Sequence, residues 1–309
     1  MSAISAERQD GEAVRTSEPP HLHLWRRLKE LIGYREILGN LIRKELKVKY
    51  TSSVLGAAWS MLNPILYLAV FTFVFKVVLT SGVPDFPVYL LSGLLAWNFF
   101  ATSVSLSARS IVDNGNLVKK VYFPREILPF ASMGASLVDF ALQSIILVAF
   151  MAVFTFSQPY GVNLLLLPLS LLALVLFTGA VALLVAALNV RYRDTQHLLA
   201  LALMAWFWLT PIVYPGGFAQ QRLLDLADGS SWAFHLYLAN PMADVVFGFQ
   251  RALYGNVDPQ GSAGPNVLVS MDVGWLAGAL GIVAAGSLVL LYLFWRLFFR
   301  LSGDFAEEL

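Results

Sequence analysis

The sequence predicts an all-α integral membrane protein with six transmembrane helices, an N-terminal amphipathic interface helix and short re-entrant helices between spans 5 and 6. Three observations favour this class. Of the 309 residues 58% are hydrophobic and 13% are charged, and the mean hydropathy is +0.67, which is more apolar than a soluble core of this size needs. Six apolar stretches approach the length that crosses a bilayer. The cations fall almost entirely on one side of the resulting topology.

The chain opens with a polar segment, residues 1–22, for which the sequence predicts a disordered cytoplasmic tail. Glu7, Asp10, Glu12 and Glu18 interrupt it, and it has no apolar core. A cleavable signal peptide requires such a core, so none is expected here.

Residues 23–50 predict the amphipathic interface helix. Apolar side chains recur at helical spacing, and Gly33 is the expected break between two helices. The opposite face is basic, with Arg43, Lys44, Lys47 and Lys49 just before the first span. This face suits a helix lying on an anionic leaflet, either as a plain anchor or as a site that also attracts a phosphate-bearing substrate head group.

Hydropathy predicts the six spans at residues 54–79, 88–108, 127–156, 164–190, 198–213 and 273–295. Of the 21 Lys and Arg residues, all except Lys76, Arg222 and Arg251 then lie on the side of the termini. The positive-inside rule therefore predicts a multi-pass protein of the cytoplasmic (inner) membrane with both termini in the cytoplasm.

Residues 116–129, NLVKKVYFPREILP, form a basic and aromatic loop between spans 2 and 3. Two interpretations stand: a solvated connector whose aromatics rest at the head groups, or a short helix that contacts a partner. A second cytoplasmic piece, the stretch Arg191, Tyr192, Arg193 and Asp194, could join it and the basic helix in one docking surface.

The long segment between spans 5 and 6, residues 214–271, predicts short interrupted helices. It opens with Pro215 and two glycines, and Asn240-Pro241 precedes a further helical pattern ending near Leu253. Such helices are too short to span and could be re-entrant, since non-spanning backbone at membrane depth must be buried in protein or line a water-filled path. A gate over a pathway and a plain extracytoplasmic cap both fit this pattern.

Charge is almost absent from the spans, and Asp139 in span 3 is the exception. An acid at that depth costs about 2.5 to 3.5 kcal/mol, so it needs a partner. Arg109, Arg191 and Arg193 are the candidates if Asp139 lies near the cytoplasmic edge. An interhelical contact and a part in transport are the two roles considered.

Aromatic side chains are the other signal within the spans. They are either packing contacts or the walls of a path, and rings without fixed charge would suit a carbohydrate better than an ion. The candidate channel aromatics are Trp59, Tyr67, Phe71, Trp206, Trp208 and Tyr214.

The sequence shows no catalytic equipment. No Lys precedes Ser or Thr, which excludes the phosphate loop GxxxxGK[ST], and neither HExxH nor GxSxG occurs. The four histidines are scattered, there is no cysteine, and no basic run suits nucleic acid. The prediction is therefore a non-enzyme with no metal site, no nucleic-acid partner and energy supplied by another subunit.

Four motifs occur in order: ELKVKYTSSVLGAAWSMLNP at 45–64, the loop NLVKKVYFPREILP, RYRDTQHLL at 191–199, and WFWLTPIVY at 206–214 followed by NPM at 240–242. Together with the closing DFAEEL they resemble the permease subunits of ATP-binding-cassette exporters of O-antigen, teichoic acid, capsule or galactan. The resemblance covers roughly residues 31–309. As an ordered set the motifs are specific.

The resemblance implies a six-helix type-2 exporter domain over 51–309 that forms a homodimer around the path. It also implies a separate nucleotide-binding subunit, which would use ATP and Mg²⁺ while this chain binds no cofactor. The cytoplasmic coupling helix would be 114–126, the gate 214–271, and the substrate a polysaccharide on a polyprenyl lipid drawn by Arg43, Lys44, Lys47 and Lys49. The residues expected to transmit ATPase work are Asn116, Lys119, Lys120, Tyr122, Phe123, Pro124 and Arg125.

Two other functions remain open at this stage. A small-molecule or drug exporter permease of the same superfamily would share the helix count, although its usual larger outer domain or fused nucleotide-binding domain is lacking. A membrane-embedded glycan transferase would need an acid or base cluster, and the spans offer only Asp139.

Overall fold

The computed structural model describes residues 24–51, 58–78, 83–153, 161–255 and 267–309. Over these ranges the chain is helical and contains no β-strand, as the predicted all-α class requires. The predictions for the polar tail 1–22, for the first residues of span 1 and for residues 256–266 of the segment 214–271 fall outside the described residues.

The α-helices, in chain order, are α1 Leu24–Gly33, α2 Arg35–Tyr50, α3 Ala58–Thr72, α4 Phe86–Asp113, α5 Gly115–Lys120, α6 Ile127–Val153, α7 Leu166–Arg191, α8 Thr195–Leu209, α9 Gly216–Leu226, α10 Trp232–Tyr237, α11 Pro241–Leu253, α12 Val273–Leu301 and α13 Phe305–Glu308. A π-helix, Phe73–Val78, continues α3, and a 3₁₀ turn, Val162–Leu165, leads into α7.

The predicted interface helix is two helices, and the predicted break is confirmed. Helix α1 ends at Gly33, and α2 begins at Arg35. Helix α2 packs along α6, where Gly134 permits close approach, since a Cβ there would lie 2.5 Å from Ile42 Cδ1. Leu41 is buried in the same contact region. The basic helix is therefore fixed to the helical bundle along one side.

Four helices are long and apolar enough to cross a bilayer among the residues described: α4, α6, α7 with its 3₁₀ turn, and α12. They match predicted spans 2, 3, 4 and 6. The stretches matching spans 1 and 5 contain shorter apolar helices, Pro64–Val78 and Thr195–Leu209. Fifteen helical residues rise only about 22 Å, against about 30 Å of hydrocarbon. The count of six spans remains a prediction.

The core lies around α4 and α7, which pack against each other; both also contact α6 and α11, and α7 packs along α12. Large rings fill it: Phe100 of α4 stacks on Phe177 of α7 with centroids 5.5 Å apart. A smaller cluster at the other end of α7 joins Val190 to Val118 and Phe123. The bundle thus has one large core and one small core beneath α5.

Helix α11 is the most enclosed short helix between predicted spans 5 and 6. Ten of its thirteen residues are buried. Asn240 caps its N-terminus by accepting a hydrogen bond from the Met242 N–H at 3.1 Å, and Pro241 occupies the first turn, where its missing N–H costs nothing. A Cβ at Gly248 would lie 2.1 Å from Ser170 Oγ, so α11 touches α7 closely. The re-entrant interpretation of this segment remains a prediction.

Candidate functional site

The predicted cytoplasmic helix 114–126 is shorter in the structure. Helix α5 ends at Lys120, and Val121 is extended, with φ −125° and ψ 133°. Pro124 explains the early end, because it lacks an N–H and because the residue before a proline avoids helical backbone. Residues 115–126, here called the α5 segment, are therefore one and a half turns of helix followed by a strap that leads into α6.

The α5 segment divides its side chains between solvent and core. Tyr122 is 91% exposed, and Lys119, Lys120 and Val121 are exposed beside it. Phe123, in contrast, is 6% exposed and packs in the small core. The buried Phe123 ring thus anchors the α5 segment, while Lys119, Lys120 and Tyr122 remain exposed to solvent.

Arg125 and Glu126 tie this strap to the C-terminal end of α12. The Arg125 guanidinium donates a hydrogen bond to the Ser302 carbonyl and lies 5.9 Å from the centre of the Phe305 ring. Partial burial lowers the pKa of Arg125 from its ordinary value, while the neighbouring Glu126 carboxylate acts in the opposite direction. The Glu126 carboxylate is buried and accepts a hydrogen bond from Trp295 Nε1 at 3.4 Å.

A cavity of about 470 Å³ lies between the α5 segment, α1 and the end of α12. Arg27 of α1 reaches into this region: its guanidinium lies 4.5 Å from the Phe299 ring centre, and its Nε lies 3.8 Å from Glu126 Oε1. Cations from α1 and α5 therefore border one recess, and acidic side chains, Glu30 and Glu126, are interspersed among them. The exposed Tyr122 also lines this recess.

The second predicted cytoplasmic piece, Arg191 to Asp194, is exposed at the junction of α7 and α8. It directly follows Val190, which packs with Val118 and Phe123 in the small core. The structure therefore places it at the same end of the bundle as the α5 segment.

The four predicted head-group cations of α2 have different surroundings. Arg43 and Lys47 are exposed. The Lys44 ammonium donates a hydrogen bond to Asn114 Oδ1 at the base of α5. Lys49 forms an ion pair with Asp139 of α6, with 2.6 Å between Nζ and Oδ2.

The Lys49 contact changes the expected partner of Asp139. The expected partners were Arg109, Arg191 and Arg193. In the structure the carboxylate instead pairs with Lys49, and the Tyr50 hydroxyl donates a hydrogen bond to Asp139 Oδ1 at 2.7 Å. The reason is that α2 runs along α6 and carries its last turn to the depth of Asp139. The carboxylate thus joins two helices.

A groove of about 560 Å³ lies between α3, α4 and α8. Three of the predicted channel aromatics line it: Tyr67, Phe71 and Trp208. The side chain of Trp59 lies outside the described residues. Trp206 and Tyr214 do not line the groove.

Trp206 points away from the groove and into the bundle. Its ring packs edge-on against Phe100 and Phe177, with centroids 5.2 and 6.0 Å away. Its Nε1 donates a hydrogen bond to Asn240 Oδ1 at 2.8 Å. Position 206 therefore lies on the inward face of α8, and its ring is not part of the groove wall.

Tyr214 belongs to a network beyond the end of α8. Its hydroxyl lies 3.0 Å from the Tyr237 hydroxyl, and its carbonyl accepts a hydrogen bond from Tyr89 at 2.8 Å. Burial raises the pKa of the Tyr214 hydroxyl. Gln250 of α11 donates to the Pro211 carbonyl at 2.9 Å, so the turn after α8 is held by both α4 and α11.

Helix α4 contributes to the groove residues that were not among the predicted site residues. Trp97, Asn98, Thr102 and Ser105 all line it. The three polar residues are spaced i, i+4 and i+7, which places them on one face of a helix. That spacing was readable from the sequence.

The residues that the structure describes contain no group of three His, Cys, Asp or Glu side chains that could hold a metal ion. The arrangement offers a charged surface at one end, a neutral groove along α4, and a hydrogen-bonded network at the other end.

Comparison with known proteins identifies the family. The sequence model of the ABC-2 type transporter family matches residues 38–243. The chain belongs to the ABC-2 type transporter family. The matched part of this ABC-2 family member runs from α2 to the start of α11 and includes the α5 segment and the groove.

The chain is similar to proteins named as export permeases and to one named as a transport protein. The O-antigen export system permease protein RfbA of Myxococcus xanthus is 34% identical over 285 residues, which cover 92% of this chain and 99% of the relative. A protein of the same name from Klebsiella pneumoniae is 30% identical over 74% of this chain and 85% of its own length. The polysialic acid transport protein KpsM of Escherichia coli is 22% identical over 67% and 76%.

Proposed function

We propose that the chain is the permease subunit of an exporter that carries a cell-surface polysaccharide, of the O-antigen or capsule type, across the cytoplasmic membrane. The observation that carries this proposal is the 34% identity to an O-antigen export permease along nearly the whole of both chains. The neutral, aromatic-lined groove supports it, because flat rings and uncharged polar groups suit sugars.

ATP hydrolysis belongs to a separate nucleotide-binding subunit, and Mg²⁺ and ATP bind there. The α5 segment is the contact through which that subunit acts: Lys119, Lys120 and Tyr122 face outward, and Phe123 transmits movement to the small core. Residues 191–194 add a second contact at the same end of the bundle. Work done on the α5 segment would then reach α6, which directly follows Glu126 in the chain, and the end of α12, to which Arg125 and Glu126 are hydrogen-bonded.

The path forms between two copies of the chain, each of which contributes six spans. Helices α3 and α8 of one copy face the same helices of the other copy. Both termini lie in the cytoplasm. The α11 segment, defined as residues 210–254, acts as the gate at the far end of the path. Its hydrogen bonds to α4 and α8 make the gate responsive to movement of α8.

The substrate is linked to a polyprenyl phosphate lipid, and α2 attracts its head group. Arg43 and Lys47 are exposed and free to meet a phosphate, and Lys44 lies next to them. Lys49 contributes only if the phosphate displaces the Asp139 carboxylate, since that carboxylate lies 2.6 Å from its ammonium. Arginine and lysine are the usual partners of phosphate groups.

The test of this proposal is deletion of the gene for this chain. The amounts of polysaccharide on the cell surface and of lipid-linked polymer in the inner membrane are then measured. We expect surface polysaccharide to disappear and a lipid-linked polymer to accumulate inside, with recovery on complementation. Co-purification of the chain with an ATPase subunit, and ATPase activity of that pair, complete the test. Unchanged surface polysaccharide together with sensitivity to a small amphiphilic drug would instead favour a drug exporter.

A further inference from the structure

Helix α4 carries a row of polar side chains along the groove. Asn98, Thr102 and Ser105 all line it, and at about 100° per residue they fall within an arc of about 60° on the helix surface. We call these three residues the polar ladder. Each is partly exposed, whereas most of α4 is buried.

The wall that faces the polar ladder is aromatic. Tyr67 and Phe71 of α3 stack with centroids 5.8 Å apart, and Phe207 and Trp208 of α8 line the groove with them. No Asp, Glu, Lys or Arg is among the described residues that line the groove. The groove thus pairs hydrogen-bonding groups on one side with ring faces on the other and holds no fixed charge.

Other polar residues of α4 point away from the groove and serve packing. Ser107 Oγ donates a hydrogen bond to the Pro129 carbonyl at 3.1 Å, and Ser110 Oγ donates to the Ser107 carbonyl at 2.8 Å. Both are buried, as is Ser103. The two polar faces of α4 therefore differ: one is used within the bundle, and the other faces open space.

The top of the polar ladder is held in place from outside the groove. Asn98 Nδ2 donates a hydrogen bond to Gln143 Oε1 of α6 at 3.2 Å. This contact fixes the amide in one orientation, so the ladder begins with a positioned group rather than a mobile one. Positioned polar groups bind at a lower entropic cost than mobile ones.

We propose that the polar ladder is a hydrogen-bonding wall that selects a neutral, polyhydroxylated chain as the translocated material. This inference rests on the proposed export function and narrows its substrate at this site to an uncharged glycan segment. Hydroxyl groups of the glycan bond to Asn98, Thr102 and Ser105 while sugar ring faces slide on the opposite aromatics. Because each contact is single and weak, the chain can move from one rung to the next.

The first test uses the absence of cysteine from the sequence. Thr102→Cys, Ser105→Cys and, as the matched control on the buried face, Ser103→Cys are each exposed in membranes to a cationic, membrane-impermeant methanethiosulfonate reagent. Thr102→Cys and Ser105→Cys should react, and Ser103→Cys should not. In cells that synthesise the polysaccharide, the two reactions should slow by about fivefold relative to cells blocked in synthesis, because a bound chain shields the groove.

The second test measures export with variants that keep the shape of the side chain. The double variant Thr102→Val with Ser105→Ala should lower the rate at which surface polysaccharide appears by about tenfold, since two hydrogen bonds are lost. Ser103→Ala should leave the rate unchanged, and ATPase activity should persist in both.

Three outcomes would overturn the polar ladder. Normal export by the double variant would remove its role. Labelling that ignores the presence of polymer would show that the groove holds no glycan. Spontaneous disulfides between two copies at position 102 or 105, formed in every condition, would show that a second copy covers this face instead. Failure of the proposed function is distinguishable, because deletion of the gene would then leave surface polysaccharide unchanged.

Discussion

The α5 segment and the α11 segment each contain short helices that lie between longer ones, and they use their side chains in opposite ways. In the α5 segment the polar and aromatic groups Lys119, Lys120 and Tyr122 face outward. In the α11 segment the side chains of Asn240, Tyr214 and Gln250 form hydrogen bonds within the chain. One segment thus leaves its polar groups open to solvent, and the other uses them within the protein. Substitutions should therefore affect association in the first and stability in the second.

The largest expected effect tests this division at α8. Trp206→Ala removes a ring packed on Phe100 and Phe177 and a hydrogen bond to Asn240, so it should lower the free energy of unfolding by about 3 kcal/mol. Trp208→Ala, two residues away and 58% exposed, is the matched control and should cost under about 1 kcal/mol. Thermal unfolding in detergent, monitored by far-ultraviolet circular dichroism, measures the stability of both variants. Equal losses would contradict the assignment of the two faces of α8.

A smaller effect is expected at the cap of α11. Asn240→Ala removes the cap of the helix and the acceptor of Trp206 Nε1, which together should cost about 2 kcal/mol. Asn240→Asp keeps the cap and the acceptor and should recover most of the stability. The same unfolding measurement applies, and no difference between the two variants would show that the hydrogen bonds of residue 240 do not hold the segment.

Charge reversal in the α5 segment should change association and spare the fold. Lys119→Glu with Lys120→Glu should weaken capture of the ATPase subunit by about tenfold or more, because an interface that meets these cations would then face like charges. Membrane insertion and unfolding temperature should stay as in the unmodified chain. Arg222→Glu, an equally exposed cation on α9, is the control. Undiminished capture and export would remove the docking role.

Tyr122 and Phe123 are neighbours in the α5 segment, but only Phe123 is buried. Tyr122→Ala should change the free energy of unfolding by no more than about 0.5 kcal/mol, because the side chain is 91% exposed. It should nevertheless lower polymer export relative to ATP hydrolysis in the assembled exporter. Phe123→Ala, at the neighbouring and buried position, should destabilise the protein instead. Similar stabilities for the two variants would mean that the strap is not anchored by Phe123.

Sequence patterns predicted the features that depend on local rules. The break after Gly33 followed from helical spacing, and the long apolar helices followed from hydropathy. The early end of α5 at Lys120 was equally local, because Pro124 determines it, but the prediction extended the helix beyond the proline.

Other features depend on which helices meet, and the sequence could not supply them. Trp206 and Trp208 lie in an α8 sequence that is apolar on every side, so hydropathy gave no reason to separate the inward ring from the groove-facing one. The partner of Asp139 lies 90 residues earlier in the chain, and only the packing of α2 along α6 brings the two together. The polar ladder was readable from its spacing, but its meaning required the facing aromatic wall.

The Lys49 and Asp139 pair also bears on how the chain enters the membrane during synthesis. Lys49 is made first, and the helix that carries the acid follows 90 residues later. Insertion of a lone carboxylate within a spanning helix costs about 2.5 to 3.5 kcal/mol, so α6 by itself would insert less favourably into the bilayer. Lys49, at the end of α2, is the cation that offsets the charge of this carboxylate in the folded chain. Lys49 is therefore synthesised before Asp139. Removal of the Lys49 side chain should slow insertion of the chain into the membrane before it affects transport.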